Sequence, residues 1–415
     1  MELKTALLSF FKVSLGFDLS RGVYVDRFES SLSEVMGQPV ITLPNARYGL
    51  KMTLEFLKIS AGDGVIMSPI NLPDMKTVIL NTGADLRFIS YKEKSFELDF
   101  KSIEVKDTDK ILFYTPLAGI TDDLKRIKEF CEKNHLILVI DFTQSFLTKS
   151  HNREVHKYSN YSFSSLCDLK VIHTHRGGFY TSSDQGMINF LKEKEENLNP
   201  INKRFMLMAI IEDAVSLTLL KPVVFRYLTR WVLKILSLKK GDNVEAITSG
   251  EGIKFLGFRF LKGFFQSNQV RTGEDFPSFL RYQYTDFQAK IGLSRLRKLR
   301  RIEDLRISRA ELFYASLEGN ALSGIPKGAL KKGHTYWKSP YWVDDPKDFK
   351  RYMSKYGVDC SQTNLPYLDT SEISNFESLG NMRDNIVYMP THWYLNDKQV
   401  IKMAKIINQY FINYG

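Results

Sequence analysis

Cysteine is scarce: the 415 residues contain three, Cys131, Cys167 and Cys360. So few thiols, so far apart, exclude a disulfide framework and a zinc site built from paired cysteines. They fit a reducing compartment, and a cytoplasmic protein is expected. Long apolar runs are also missing. The most apolar stretch, RFMLMAIIEDAVSLTLLKPVVFRYLTRWVLKILSL from Arg204 to Leu238, is interrupted by charge too often to supply a spanning helix of about 20 apolar residues. The opening MELKTALLSFFKVSLGF sets Lys4 and Lys12 around a short apolar patch, with no small-residue cleavage site behind it. It reads as an amphipathic lead-in rather than a signal peptide. No internal repeat is visible, and no motif of an RNA- or DNA-binding module, so no nucleic-acid partner is expected.

What is present is an ordinary globular composition, 43% apolar and 25% charged, which argues against long disordered tails. The length exceeds what one compact core usually serves, so two domains, or one with a satellite, are expected. A formal net charge of +11 points to anionic partners: nucleic acid, phosphorylated metabolites or an acidic membrane surface. The basic residues concentrate in two places, Lys221–Lys240 and Arg295–Arg306. In the first, Arg226, Arg230 and Lys234 recur every four residues and would form one cationic stripe on an otherwise apolar helix. Such a helix suits peripheral contact with an anionic membrane through residues 221–240, or packing on its own domain or on a partner copy. The arginines of the second are expected to form a solvated face.

The first half alternates strand and helix patterns. RYGLKMTLEFLKI, DMKTVILNTGA and DDLKRIKEFCEKNH have helical spacing, while AGDGVIMSP, DLRFIS, KILFYTP and LILVID read as short strands. KVIHTH and GGFYTS look like two more. Apolar strands alternating with helices imply a largely parallel sheet buried on both faces, whose ligands gather at the carboxyl ends of the strands. Asp141 closes LILVID and lies where chemistry is expected. Further on, DFQAKIGLSRLRKLRRIEDLRISRAELF reads as one long helix, and HTYWKSPYWV, DPKDFKRYMSKYG and NDKQVIKMAKIINQYF as a small α+β unit.

SSLCDLKVIHTHRGGFYTS, residues 164–182, is the densest chemical stretch. Lys170 sits among apolar neighbours, either as a partly exposed lysine or as a buried amine that works. His173 and His175 alternate and would share one face of a strand. They could be a metal pair, but no carboxylate or cysteine stands at ligand spacing in the sequence, and packing or substrate contact is the expected role.

LILVIDFTQS followed by this stretch resembles the DegT/StrS family of pyridoxal-phosphate-dependent sugar aminotransferases, in the series Asp141, Gln144, Ser165, Lys170 and Gly177–Gly178. YVDRFESSLSEVMG, NARYGLKMTLEFLKISAGDGVIMSP, the long helical stretch and IVYMPTHWYLNDKQVIKMAKII resemble further parts of that family, so most of the chain is covered except residues from about 200 to 270. The resemblance implies the fold type I architecture of pyridoxal-phosphate transferases. A large α/β domain with a mainly parallel seven-stranded sheet would span residues 1–285, with an apolar helical insertion at about 200–270. The interdomain helix and a small α+β domain would follow over residues 286–415.

It also implies a cofactor, pyridoxal 5′-phosphate, and roles. Lys170 would hold the cofactor's aldehyde carbon and move protons, which a lysine does only when partly desolvated. Asp141 would face the pyridinium nitrogen, Gln144 the phenolic oxygen and Ser165 the phosphate. A count that takes Phe163 as the motif aromatic would put Cys167 in the lysine's place; taking Ser165–Leu166 restores Lys170 and its distance to the glycine pair. The sequence also departs from the family. Asn45, Ala46 and Arg47 replace its small Ser-Gly-Thr phosphate contact, leaving Arg47 to bind phosphate as a cation. Asn71 stands where a stacking aromatic belongs, and Arg281 where a partner subunit's Asn would reach the phosphate. The implied activity moves an amino group from an amino acid, glutamate by resemblance, to a keto-sugar on a nucleotide or lipid diphosphate, in a homodimer with shared sites. The alternatives are a cofactor-dependent sugar dehydratase, which retention of Lys170 opposes, and a silent relative that binds sugar or acts as a scaffold.

Overall fold

The computed structural model describes residues 9–11, 13–16, 18–167, 170–219, 270–358, 360–362 and 384–414, with residues 224, 227, 228 and 382. In chain order its elements are α1 (Val23–Met36), β1 (Val40–Leu43), α2 (Ala46–Phe56), β2 (Gly64–Met67), α3 (Pro73–Leu80), β3 (Asp85–Phe88), β4 (Asp109–Tyr114), α4 (Leu124–Lys133) and β5 (Ile137–Asp141). A small hairpin, β6 (Lys149–Ser150) and β7 (Arg153–Glu154), precedes β8 (Tyr161–Ser165) and β9 (Gly178–Thr181). Then come α5 (Gln185–Glu196), α6 (Lys203–Leu219), α7 (Asp286–Leu296), α8 (Leu299–Ala315), β10 (Ser339–Trp342), α9 (Pro346–Lys355), β11 (Ser361–Gln362), β12 (Ile386–Met389) and α10 (Asp397–Tyr414).

Seven of these strands form one sheet in the order β1-β9-β8-β5-β4-β2-β3. The run from β8 to β3 is parallel throughout, and β1 with β9 is antiparallel. The expected mainly parallel seven-stranded sheet is therefore observed. Its cause lies in the strand sequences: GVIM in β2 and LVID in β5 are buried at every position, as strands covered on both faces must be.

By internal contacts the chain divides into two compact units, the first formed by Met1–Met52 and Ser165–Arg297, the second by Thr53–Ser164 and Lys298–Gly415. In the first unit, α1 has no capping side chain of its own. Asp286, at the start of α7, takes that role: its Oδ1 accepts from the N–H groups of Tyr24 and Val25, both at 3.0 Å. A carboxylate there satisfies orphan donors and complements the helix dipole.

In the second unit, β10, β12 and β11 make a small antiparallel sheet in the order β10-β12-β11. The single long helix expected from residue 286 onward is two helices, the first ending at Leu296 and the second starting at Leu299, with Arg297 and Lys298 between them. Nor do the arginines of this stretch all face water. Arg306 is 8% exposed, pairs with Glu303 one turn earlier, and donates Nε to Thr335 O at 2.9 Å. Among the described residues no helix is long and apolar enough to cross a membrane. The basic stretch 221–240 lies outside the described residues, apart from residues 224, 227 and 228.

Candidate active site

In the second unit the carboxyl ends of three parallel strands, β2, β4 and β5, are laced together by polar side chains. Asp141 ends β5, is buried, and accepts the N–H of Thr143 on Oδ1 at 2.9 Å. That bond fixes the carboxylate at the strand end, as a charge-orienting role requires. Gln144, half-buried, accepts the N–H of Ala118 on Oε1 at 2.8 Å, in the loop that leaves β4. Ser145 donates to Pro116 O at 3.2 Å in the same loop. Asn71, in the loop after β2, is buried; its amide donates to Thr115 Oγ1 at 3.1 Å and its Oδ1 accepts from Leu72 N at 2.8 Å. So Asn71 joins the β2 and β4 loops, a polar task that no aromatic ring could perform.

The first unit holds the lysine loop. Ser165 ends β8, and its Oγ accepts the N–H of Cys167 at 3.2 Å. From there to β9 the backbone forms a closed loop: Thr174 N donates to Leu166 O, and Leu166 N to Gly177 O, each at 2.9 Å. KVIHTH is therefore not a strand. Its backbone turns back on itself, with His175 at φ +69° and Gly177 at φ +115°, and neither angle is compatible with an extended ladder. Lys170 sits in this loop, half-buried, its N–H directed at Cys167 O at 3.3 Å.

Gly177 is required twice over. Its φ is a glycine value, and a Cβ there would lie 2.5 Å from Tyr284 Cε2. Gly177→Ala is expected to lower stability by about 2–3 kcal/mol, combining strain with overpacking, and to be read as a fall in Tm.

The same unit places α2 beside the segment 280–282. Asn45 caps α2, accepting Tyr48 N on Oδ1 at 2.9 Å, and its amide donates to Leu280 O at 2.9 Å. Tyr282 adds a second tie, its hydroxyl donating to Pro44 O at 2.9 Å. Ala46 and Arg47, the first residues of α2, are thereby held near Arg281, which is exposed. Burial pushes the Tyr282 hydroxyl far above the ordinary tyrosine range; the field of Cys167 adds to this, and the guanidinium groups of Arg176 and Arg47 oppose it. Tyr282 thus stands among the lysine loop, Arg176 and Arg47, a central position that sequence reasoning missed. Both ends of the Asn45 amide are spent on the backbone.

Residues 12–193 match the model of the DegT/DnrJ/EryC1/StrS aminotransferase family. This part of the chain, a little under half of it, is similar to that family. Among curated proteins, the GDP-perosamine synthase of Escherichia coli O157:H7 is 27% identical over 169 residues, 40% of this chain and 46% of that one. The chain spans about half the length of the curated relatives it matches. Solved structures agree over nearly its whole length. The aminotransferase from Psychrobacter cryohalolentis superposes with a TM-score of 0.70 at 17% identity, covering 99% of this chain and 97% of that one. Spr1654 from Streptococcus pneumoniae, in its PLP form, gives 0.66 at 15% identity over 98% and 96%. At these identities the structural likeness establishes the fold. The similarity to the DegT family and the fold thus rest on separate observations, one over residues 12–193 and one over nearly the whole chain.

Proposed function

We propose that this chain is a pyridoxal-phosphate-dependent aminotransferase acting on a nucleotide-linked keto-sugar, with an amino acid, glutamate by resemblance, as donor. The observation that carries the reading is Asp141: a buried carboxylate, fixed by Thr143 N, at the carboxyl end of a central parallel strand in a DegT-type fold. A carboxylate so placed suits the ring nitrogen of a pyridinium, and the bound cofactor supplies an electron sink that stabilises a carbanion at the donor's α-carbon. Gln144, held by Ala118 N, would orient the ring from the neighbouring loop. Ser165, Ala46 and Arg47 are assigned to the phosphate: a hydroxyl, the first amides of a helix and a cation all favour an anion. Arg281, exposed on the surface of its unit, is assigned to the phosphate of a partner subunit in a homodimer. Lys170 is assigned the covalent and proton-transfer role, taking the proton from the α-carbon and returning it on the cofactor side.

The relatives named as GDP-perosamine synthases motivate the choice of a nucleotide carrier. The test incubates the full chain with pyridoxal phosphate, glutamate and nucleotide 4-keto-sugars, and follows amine formation on the sugar by mass spectrometry. An aminated nucleotide sugar supports the reading; tight sugar binding with no amination would make the chain a silent binding relative instead. Asp141→Asn should keep the fold yet slow turnover by roughly 10²-fold or more, because a neutral amide no longer holds the ring nitrogen protonated.

A further inference from the structure

Three groups outside the roles assigned above converge in the first unit. His173 Nε2 lies 2.9 Å from Asp213 Oδ2, and His175 Nδ1 meets the same oxygen. One ligand atom from each of the three residues falls within 4.8 Å of the others. His175 is fully buried, Asp213 nearly so, and the His173 side chain is 12% exposed. The histidines come from the lysine loop, whereas Asp213 comes from the buried face of α6, where Met206, Ala209 and Ile210 also point inward.

The surroundings hold this arrangement open to little else. The His175 ring lies parallel to Phe287, 8° between planes and 5.9 Å between centroids, and stands edge-on to His173. Arg176 next door is neutralised by Glu212 at 2.6 Å, so the adjacent guanidinium does not cancel the Asp213 charge. Its carbonyl accepts from Gln288 Nε2 at 2.9 Å and from Thr174 Oγ1 at 2.7 Å, which pins the loop on the far side. His175 reaches Asp213 only by adopting φ +69°, a left-handed value that costs a non-glycine residue free energy.

We propose that His173, His175 and Asp213 bind a divalent transition metal of the zinc class, which clamps the loop carrying Lys170 to α6. Two imidazole nitrogens and one carboxylate oxygen are a borderline-soft set, matched to zinc or cobalt rather than to magnesium, which wants an octahedron of oxygens. Three protein ligands leave a fourth tetrahedral position for water. Metal binding would replace the direct contact between His175 and Asp213. The site does not depend on the aminotransferase reading, since it uses none of the residues assigned to the cofactor.

The experiment uses untagged full-length protein, stripped with a chelator and without added pyridoxal phosphate. Zinc is titrated calorimetrically, and cobalt is titrated while its visible d–d absorption is followed. The expected result is one metal per chain, an intense tetrahedral-type cobalt spectrum that zinc displaces, and no heat with magnesium. Asp213→Asn and His173→Gln should each weaken zinc roughly tenfold or more. Hydrogen exchange at residues 170–177 should slow when zinc is added to the wild type. Absence of stoichiometric zinc binding by the wild-type protein overturns the proposal, whatever the variants do. So does zinc binding that both variants leave unchanged, and so does a loop whose exchange ignores the metal.

Discussion

Replacing Lys170 with alanine is expected to remove the visible absorbance band of the protein reconstituted with pyridoxal phosphate, and to bring amine transfer to background. The fold gives the reason. Lys170 is half-buried in a loop closed by the Leu166–Thr174 and Leu166–Gly177 backbone bonds, so its position is set by β8 and β9 rather than by the side chain's own freedom. The neutral amine is the form of a lysine that attacks a carbonyl. Loss of a positioned proton carrier alone costs roughly 10²–10⁴-fold in rate, and loss of the covalent attachment adds to that. Borohydride should abolish the wild-type band and leave the cofactor covalently attached, whereas in the alanine variant it should leave none attached. Lys170→Arg is the informative control, because it keeps the charge and length but presents no amine that condenses. It should bind the cofactor weakly and turn over no faster than Lys170→Ala. A band and turnover that persist in either variant would remove Lys170 from the mechanism, and with it the chosen register over Cys167.

Which parts of this were legible in the sequence follows from the range over which the determining contacts act. β2, β4 and β5 could be read because a strand buried on both faces writes itself as an unbroken apolar run, and Asp141 was visible as the charge that ends one. KVIHTH was read as a strand because its His-Thr-His alternation mimics period two, while the bonds that curl the loop around it connect residues eight and eleven apart. Asp213 was invisible for a stronger reason. It lies 38 residues from His175, inside a helix whose apolar face gives no hint that one position meets a pair of histidines. Spacing rules for metal ligands see local pairs, and here the third ligand is supplied only by packing. Asn45 shows the local side of the same rule: a polar residue at a helix start is a cap, and its amide is accounted for by Tyr48 N and Leu280 O.

The C-terminal half carries a second large effect, which the sequence presented as a solvated basic face. Glu303 is 2% exposed and its Oε1 has no hydrogen-bond partner among the described residues. Burial pushes its carboxyl up to about 7, and Arg306 one turn later opposes that rise. A carboxyl whose folded pKa lies above the unfolded value binds its proton more tightly in the native state. Its contribution to stability is present in full below the unfolded value near 4.5 and is lost as pH rises through about 7. Removing the arginine removes the cation that opposes the rise, so the folded pKa climbs further and the loss continues above neutrality. Arg306→Met is therefore expected to cost about 3–5 kcal/mol near pH 8, where a buried carboxylate has lost its counter-charge. Near pH 5 the cost should shrink to about 1–2 kcal/mol, the loss of the bond to Thr335 O, because Glu303 is then neutral. Denaturant unfolding at the two pH values measures both. Adding Glu303→Leu to Arg306→Met should recover most of the loss at the higher pH, since an apolar pair leaves no charge to bury. A penalty independent of pH would instead mean that Arg306 acts through packing and its hydrogen bond, and that Glu303 is not the group whose charge the interior resists.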